Sequence, residues 1–306
     1  QRHTGSSKWS RSQPLPARLV RLGNGEDETA PTRLVLTSEE ETSNKKIAYA
    51  TLSHCWGDYQ PLQTTTHTLL SFQARLPKEQ TPRTFRDAMD ICRAVGIQYL
   101  WIDSLCIVQD DNDDWCREAA RMKDIYSGSL LTIAATGARN SSGGCFYDDS
   151  KEEEWDSVWP QDNLPHISKS AFTKRPEFTH LNTRGWVLQE QALSPRVVYC
   201  MQPEMHFICR TVNCTEAGAS FVHAARDRVH WHNPTIRSLS EGMDPAHIHQ
   251  VWSDWMEHYS RRSFTYPQDR LSAIAGLVEE YARYSGDEHL LGCWKRTVRQ
   301  DLMWTR

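Results

Sequence analysis

The sequence predicts an α/β protein built on a parallel sheet, and three observations carry that expectation. Short apolar runs rich in β-branched and aromatic residues at Ile47–Ser53, Tyr99–Val108 and Leu130–Ala135 read as buried strands. Between them the period turns helical, with Phe85, Ala88, Met89, Cys92 and Val95 on one stripe and Trp115, Ala119, Met122, Ile125 and Tyr126 on another. Strand and helix then alternate, which is the order of crossover units. The chain has 306 residues, 39% hydrophobic and 24% charged, enough for one large core or about two domains.

Taken in order, residues 1–17 are polar and read as a mobile arm. Arg18–Leu22 and Arg33–Thr37 are short strands separated by a turn-rich stretch at 23–29. The strand at Ile47–Ser53 ends in His54-Cys55-Trp56-Gly57, and residues 58–80 are Thr-rich loop with one helical turn. Thr81 is placed to cap a helix that has Pro82 in its first position and Gly96 at its end. The strand at 99–108 leads through the acidic loop 109–114 into a helix over 114–127, then Gly128 and the strand at 130–135. Residues 136–180 are Gly/Ser-rich and then acidic, a long loop or insertion carrying Trp155 and Trp159. A helix from Thr183 to Ala192 follows, then strands at Arg196–Met201 and Met205–Cys209 joined as a hairpin across Gln202-Pro203. Residues 245–260, 268–285 and the tail at 288–305 read as helices. The expected organisation is an arm at 1–17, an α/β domain at 18–210 with an insertion at about 136–180, and a mainly helical extension at 211–306.

Composition excludes several classes. A net charge of −4 with dispersed arginines gives no case for nucleic acid. No window approaches the ~18 apolar residues of a membrane span, and the first residues lack a signal-peptide core. Nine cysteines, several inside apolar runs (Cys92, Cys106, Cys200), point to reduced thiols in an intracellular, cytoplasmic setting. His230-x-His232, His247-x-His249 and Cys209-x4-Cys214 are loose pairs without a matching second pair, so no metal is expected.

Glu118 stands out among candidate site residues, because it lies within the apolar stripe of its helix. A carboxylate turned toward a packed layer is costly unless it is paired, solvated by a cleft or used. The plain reading pairs it with Arg121. His54, Cys55, Asp103 and Cys106 flank two strands and suggest a Cys–His pair, but Cys106 shares the phase of Leu100 and Ile102 and reads as a small core residue. Arg184, Trp186, Gln189 and Glu190 form a block in which Arg184 either binds phosphate or clamps the second half of the chain to the sheet. Gly137, Gly143 and Gly144 do not make a dinucleotide fingerprint.

Several long blocks, in order, resemble the fungal heterokaryon-incompatibility (HET) domain family. They are Tyr49-Ala-Thr-Leu-Ser-His-Cys-Trp-Gly57, Arg83-Thr-Phe-Arg-Asp-Ala88, Tyr99-Leu-Trp-Ile-Asp-Ser-Leu-Cys-Ile-Val-Gln-Asp110, Asp114-Trp115 with Glu118, Leu131-Thr-Ile-Ala-Ala135, and Thr183-Arg-Gly-Trp-Val-Leu-Gln-Glu190. The resemblance implies a fungal protein of non-self recognition or regulated cell death and a distant kinship with TIR domains, whose sheet is flavodoxin-like. Some TIR domains cleave NAD⁺ at the nicotinamide–ribose bond with a helix-borne glutamate. Trp115-Cys116-Arg117-Glu118 is similar to that setting, one residue shorter. The expected site therefore takes Glu118, His54 and Asp103 as catalytic, with Ser53, Trp56, Trp115, Gln109 and Arg184 holding the substrate. NAD⁺ enters as a substrate, with no cofactor. Two other readings stand beside it: a signalling module that self-associates without catalysis, and an enzyme acting on a small fungal metabolite in a tryptophan-lined pocket.

Overall fold

A computed structural model describes residues 14–23, 30–40, 47–57, 60–146, 179–201, 205–209, 212–216, 220–221, 244–290 and 292–302. The expected arm up to residue 13, Trp155, Trp159, most of the 136–180 insertion, and His230 and His232 lie outside the described residues.

Nine strands form one sheet in the order β2-β1-β4-β3-β5-β6-β7-β8-β9. They are β1 (Arg18–Arg21), β2 (Arg33–Leu36), β3 (Tyr49–Ser53), β4 (Tyr99–Trp101), β5 (Leu131–Ala134), β6 (Arg196–Tyr199), β7 (His206–Cys209), β8 (Asn213–Thr215) and β9 (Ser220–Phe221). The centre, β4-β3-β5-β6, is parallel, and antiparallel strands extend it on both sides. Numbered along the chain, the parallel strands run 2-1-3-4, an arrangement shared with flavodoxin-like doubly wound sheets. The strand order reverses between β3 and β5, where Ser53 lies beside Ala134. The α/β expectation and the 196–209 hairpin are both present.

The helices are α1 (Thr37–Glu40), α2 (Leu69–Ala74), α3 (Arg83–Ala94), α4 (Asp103–Cys106), α5 (Asn112–Ala120), α6 (Met122–Gly128), α7 (Gly185–Leu193), α8 (Pro245–Ser260), α9 (Asp269–Ser272), α10 (Ala275–Ser285) and α11 (Val298–Asp301). In α3 the residues Phe85, Ala88, Met89 and Cys92 are buried as the period predicts, and Val95 lies exposed beyond its last turn. Trp101 packs edge-on against Tyr126 over the sheet. One continuous hydrophobic cluster runs from Leu19 and Leu52 through Leu188 to Trp252, Trp255, Leu277 and Trp294, so α8 and α10 share the core of the sheet.

Four local expectations need correction. The strand at 99–108 stops at Trp101 and the apolar run continues as the helical turn α4, with Leu105 and Cys106 fully buried. A short apolar run packs equally well in either form, so its composition does not separate them. The helix over 114–127 is two helices, parted at Arg121, whose backbone has φ −98° and ψ 1°. Thr81 does not cap α3; its hydroxyl donates to the Pro77 carbonyl at 2.8 Å. The tail is not helical throughout: β10 (His289–Leu290) pairs with β11 (Cys293–Trp294) across Gly292 at φ +98°, and among the described residues of the tail only Val298–Asp301 is helix. Trp294 drives this by filling the space between Trp252 and Tyr281, with ring centroids 5.0 and 4.2 Å away.

Candidate functional site at the sheet crossover

Ligands of open α/β sheets sit beyond the carboxyl ends of the strands where the order reverses. Here that place is the exit of β3, where Ser53 and His54 leave the sheet beside β5, with α4, α7 and the segment after α8 closing around it. Trp56 donates its indole N–H to Asp103 Oδ2 at 2.9 Å. Asp103 opens α4 and accepts the Ser104 N–H at 2.7 Å, so the helical turn that corrected the strand expectation also fixes this carboxylate. Gln109 Nε2 braces the same turn through the Asp103 and Ile107 carbonyls. Asp103 remains one-quarter exposed, at the rim.

His54 lies deeper, its side chain 1% exposed, with Nδ1 3.9 Å from Asp103 Oδ1 and its ring edge-on to Phe85. Burial, helped by the Arg184 charge and opposed by Asp103, pushes its pKa down to about 4, so the imidazole is neutral near pH 7. Neither ring nitrogen has a hydrogen-bond partner among the described residues. Arg184 Nη1 donates to the His54 carbonyl, which ties the start of α7 to the end of β3.

Glu190 on α7 is buried, 6% exposed, close enough to Arg184, Ser53, Asp103 and Tyr126 to feel each of them. Burial raises its carboxyl to about 7, and Asp103 adds to the rise. Arg184, the Ser53 hydroxyl and the Tyr126 phenol oppose it. Ser53 Oγ nevertheless makes no bond of standard geometry, so its hold on the carboxylate is loose. Sequence reasoning left Glu190 without a role. The available signal was Gln189-Glu190-Gln191 flanked within one helix by Val187, Leu188, Ala192 and Leu193, all seven being buried. Burial also raises the Cys55 thiol to about 11 and the Cys106 thiol to about 12, so neither is a thiolate near neutrality. All nine cysteines are free, and no group of three metal-ligating side chains occurs among the described residues.

The structure thus brings Ser53, His54, Trp56, Asp103, Gln109 and Arg184 to one place. Glu118 and Trp115 belong to a neighbouring cluster. The buried residues of α5 are Asp114 and Glu118, whereas Trp115 and Ala119 are only half-buried. Glu118 is turned inward, 2% exposed, and is held by Arg121 Nη1 at 3.0 Å and the Ala17 N–H at 3.4 Å. No bond joins it to His54, Asp103 or Arg184 among the described residues.

A groove of about 880 Å³ opens beside the crossover, between the loop carrying Gln60 and Gln63, the first turns of α3 with Arg83 and Arg86, and Ser141 and Ser142. Ser141 Oγ reaches the Cys55 carbonyl at 3.5 Å, which links the groove wall to the end of β3.

Residues 49–190, from the first residue of β3 to Glu190, match the family model described as Heterokaryon incompatibility protein (HET). A curated relative, Heterokaryon incompatibility protein 6, OR allele, of Neurospora crassa, is 29% identical over 101 residues, covering 29% of this chain. The match spans only 14% of that relative's length. No solved structure matches the chain. Over residues 49–190, a little under half of its length, the chain is similar to the heterokaryon incompatibility (HET) family.

Proposed function

We propose that this chain acts in fungal non-self recognition and the regulated cell death that follows it, by cleaving NAD⁺ at the nicotinamide–ribose bond in the crossover site. The family segment and the Neurospora relative support the recognition role. The observation that carries the chemistry is the Trp56–Asp103 bond, which sets an aromatic face and a partly exposed carboxylate side by side at the rim.

The reaction takes NAD⁺ and water to ADP-ribose, nicotinamide and a proton. The nicotinamide ring stacks on Trp56. As the bond to ribose C1′ lengthens, its electron pair leaves with the nicotinamide, which departs neutral and needs no acid. Positive charge develops on the ribose, and the Asp103 carboxylate stabilises it. Water then adds at C1′ and loses its proton to solvent. Arg184 at the site and Arg83 and Arg86 in the adjoining groove supply the cations that a pyrophosphate requires. Asp103 takes this role in place of Glu118, because Glu118 is closed off by Arg121 and Ala17.

Incubation of the purified chain with NAD⁺ should release nicotinamide. Asp103→Asn should lower kcat by about 100-fold or more at unchanged melting temperature, whereas Glu118→Gln, where folded, should retain turnover. No nicotinamide from the folded wild type, or full turnover by Asp103→Asn, overturns the reading. In the first case, concentration-dependent assembly in light scattering would favour a non-catalytic, self-associating module.

A further inference from the structure

The groove beside the crossover presents an exposed hydroxyl as well as cations. Ser142 lies on its wall, its Oγ donating to Asn140 Oδ1 at 2.6 Å and its N–H to the same oxygen at 2.9 Å. Arg139, also exposed, stands three positions earlier in Arg139-Asn-Ser-Ser142. A basic side chain at such a spacing is one of the charge patterns by which serine kinases choose substrates. The loop is held against the first turn of α3. The Ser141 carbonyl accepts the Thr84 N–H at 3.0 Å, and Arg83 Nη2 donates to the Phe146 carbonyl at 3.0 Å. A Cβ built on Gly144 would lie 2.8 Å from Arg83 Nε. The Arg83 guanidinium therefore runs along the loop that bears Ser142, and the exposed Arg86 lines the same groove. Among the lining residues these two cations face one carboxylate, Glu79.

We propose that Ser142 is a phosphorylation site whose phosphate pairs with Arg83 and Arg86 in the groove. In the modifying step, Ser142 Oγ bonds to the γ-phosphorus of ATP held by a protein kinase. The bond from that phosphorus to the bridging oxygen breaks, ADP leaves with the electron pair, and the hydroxyl proton passes to the base of the kinase. The product carries about two negative charges and three acceptor oxygens at neutral pH. Guanidiniums bind such a group by paired, charge-assisted hydrogen bonds. Arg83 and Arg86 are also the cations offered to the NAD⁺ pyrophosphate, so phosphorylation competes with that substrate. This consequence, unlike the modification itself, rests on the preceding reading.

The test incubates the purified chain with Mg²⁺-ATP and the catalytic subunit of cyclic-AMP-dependent protein kinase, an arginine-directed enzyme. Mass spectrometry should place a phosphate on Ser142, and none on the same peptide of Ser142→Ala. An unmodified Ser142 overturns the proposal. Phosphorus NMR then titrates the phosphoserine. Its second pKa is near 6 when free, and pairing with the arginines should lower it by about half a unit or more. Arg86→Met should move it back toward 6, with Arg83, Arg139, Glu79 and Asp87 all kept in place. A value near 6 that Arg86→Met does not change overturns the pairing. On the same samples, phosphorylation should raise KM for NAD⁺ by about tenfold or more, and kinase-treated Ser142→Ala should show no rise. An unchanged KM overturns the competition. No turnover by the folded, unmodified chain defeats the preceding reading and leaves the mapping and NMR results standing.

Discussion

Arg18 and Asp114 form a buried ion pair, their side chains 9% and 6% exposed, that joins β1 to α5. Arg18 Nε also donates to the Cys106 carbonyl at 2.8 Å, and Asp114 accepts the Val108 N–H at 2.8 Å. The pair therefore secures the turn after β4, the same turn that presents Asp103. Burial pushes the Asp114 carboxyl upward, but the bonds from Arg18 and Val108 outweigh it and hold its pKa below the usual value.

Asp114→Asn leaves Arg18 buried without a counter-ion, and should cost about 3 kcal/mol in urea unfolding at pH 7. Because the folded pKa is depressed, the contribution is present above the unfolded value near 4 and is lost as pH falls through the folded one. The acid limb of the stability curve should therefore be shallower in Asp114→Asn than in wild type. A loss under about 0.5 kcal/mol would mean that the pair behaves as a surface contact.

Gly185 allows the segment after α8 to close. A Cβ built on it would lie 1.9 to 2.6 Å from three ring carbons of Phe264, a ring itself held by Tyr259 and by the Arg270 guanidinium. Gly185→Ala should destabilise by about 1–3 kcal/mol through overpacking. Phe264→Ala should cost less once Ala occupies position 185, so the double variant should be more stable than the sum of the two losses predicts. Additive losses in that cycle would place that segment elsewhere.

Much of the sheet is readable from the sequence because β3, β5 and the 196–209 hairpin bury continuous or alternating apolar runs with turn residues between them. Asp103 was misplaced within a strand because Tyr99–Val108 is apolar in both of its conformations, and only the packing of Leu105 and Cys106 decides which half is helical. His54, Trp56, Asp103 and Arg184 could be found because they punctuate motif blocks, and the chain brings all four to the end of β3. Glu118 attracted attention as an acid on an apolar stripe, but sequence spacing does not reveal that Ala17 would supply its second bond. Arg262, which donates to the Arg184 carbonyl, gives no sequence signal at all: it lies 78 positions from Arg184, and only tertiary closure joins them.

Glu190 and His54 should give the protein two opposed pH responses that largely hide one another. Glu190 has a folded pKa of about 7 against an ordinary 4.5, so its contribution is fully present below about 4.5 and is lost as pH rises through 7. His54 has a folded pKa of about 4 against 6.5, so its contribution is present above about 6.5 and is lost as pH falls through 4. Between pH 4.5 and 6.5 the two slopes oppose each other. Relative to wild type, Glu190→Gln should therefore gain stability as pH rises from about 4.5 to 7, because it removes the cost of ionising an enclosed acid. His54→Phe, which keeps a ring against Phe85, should gain relative to wild type as pH falls from about 6.5 to 4, because it removes the cost of charging an enclosed base. Urea unfolding of the three proteins at four pH values across this range reads both slopes. Slopes of the same sign would show that these two groups are not enclosed together at the crossover.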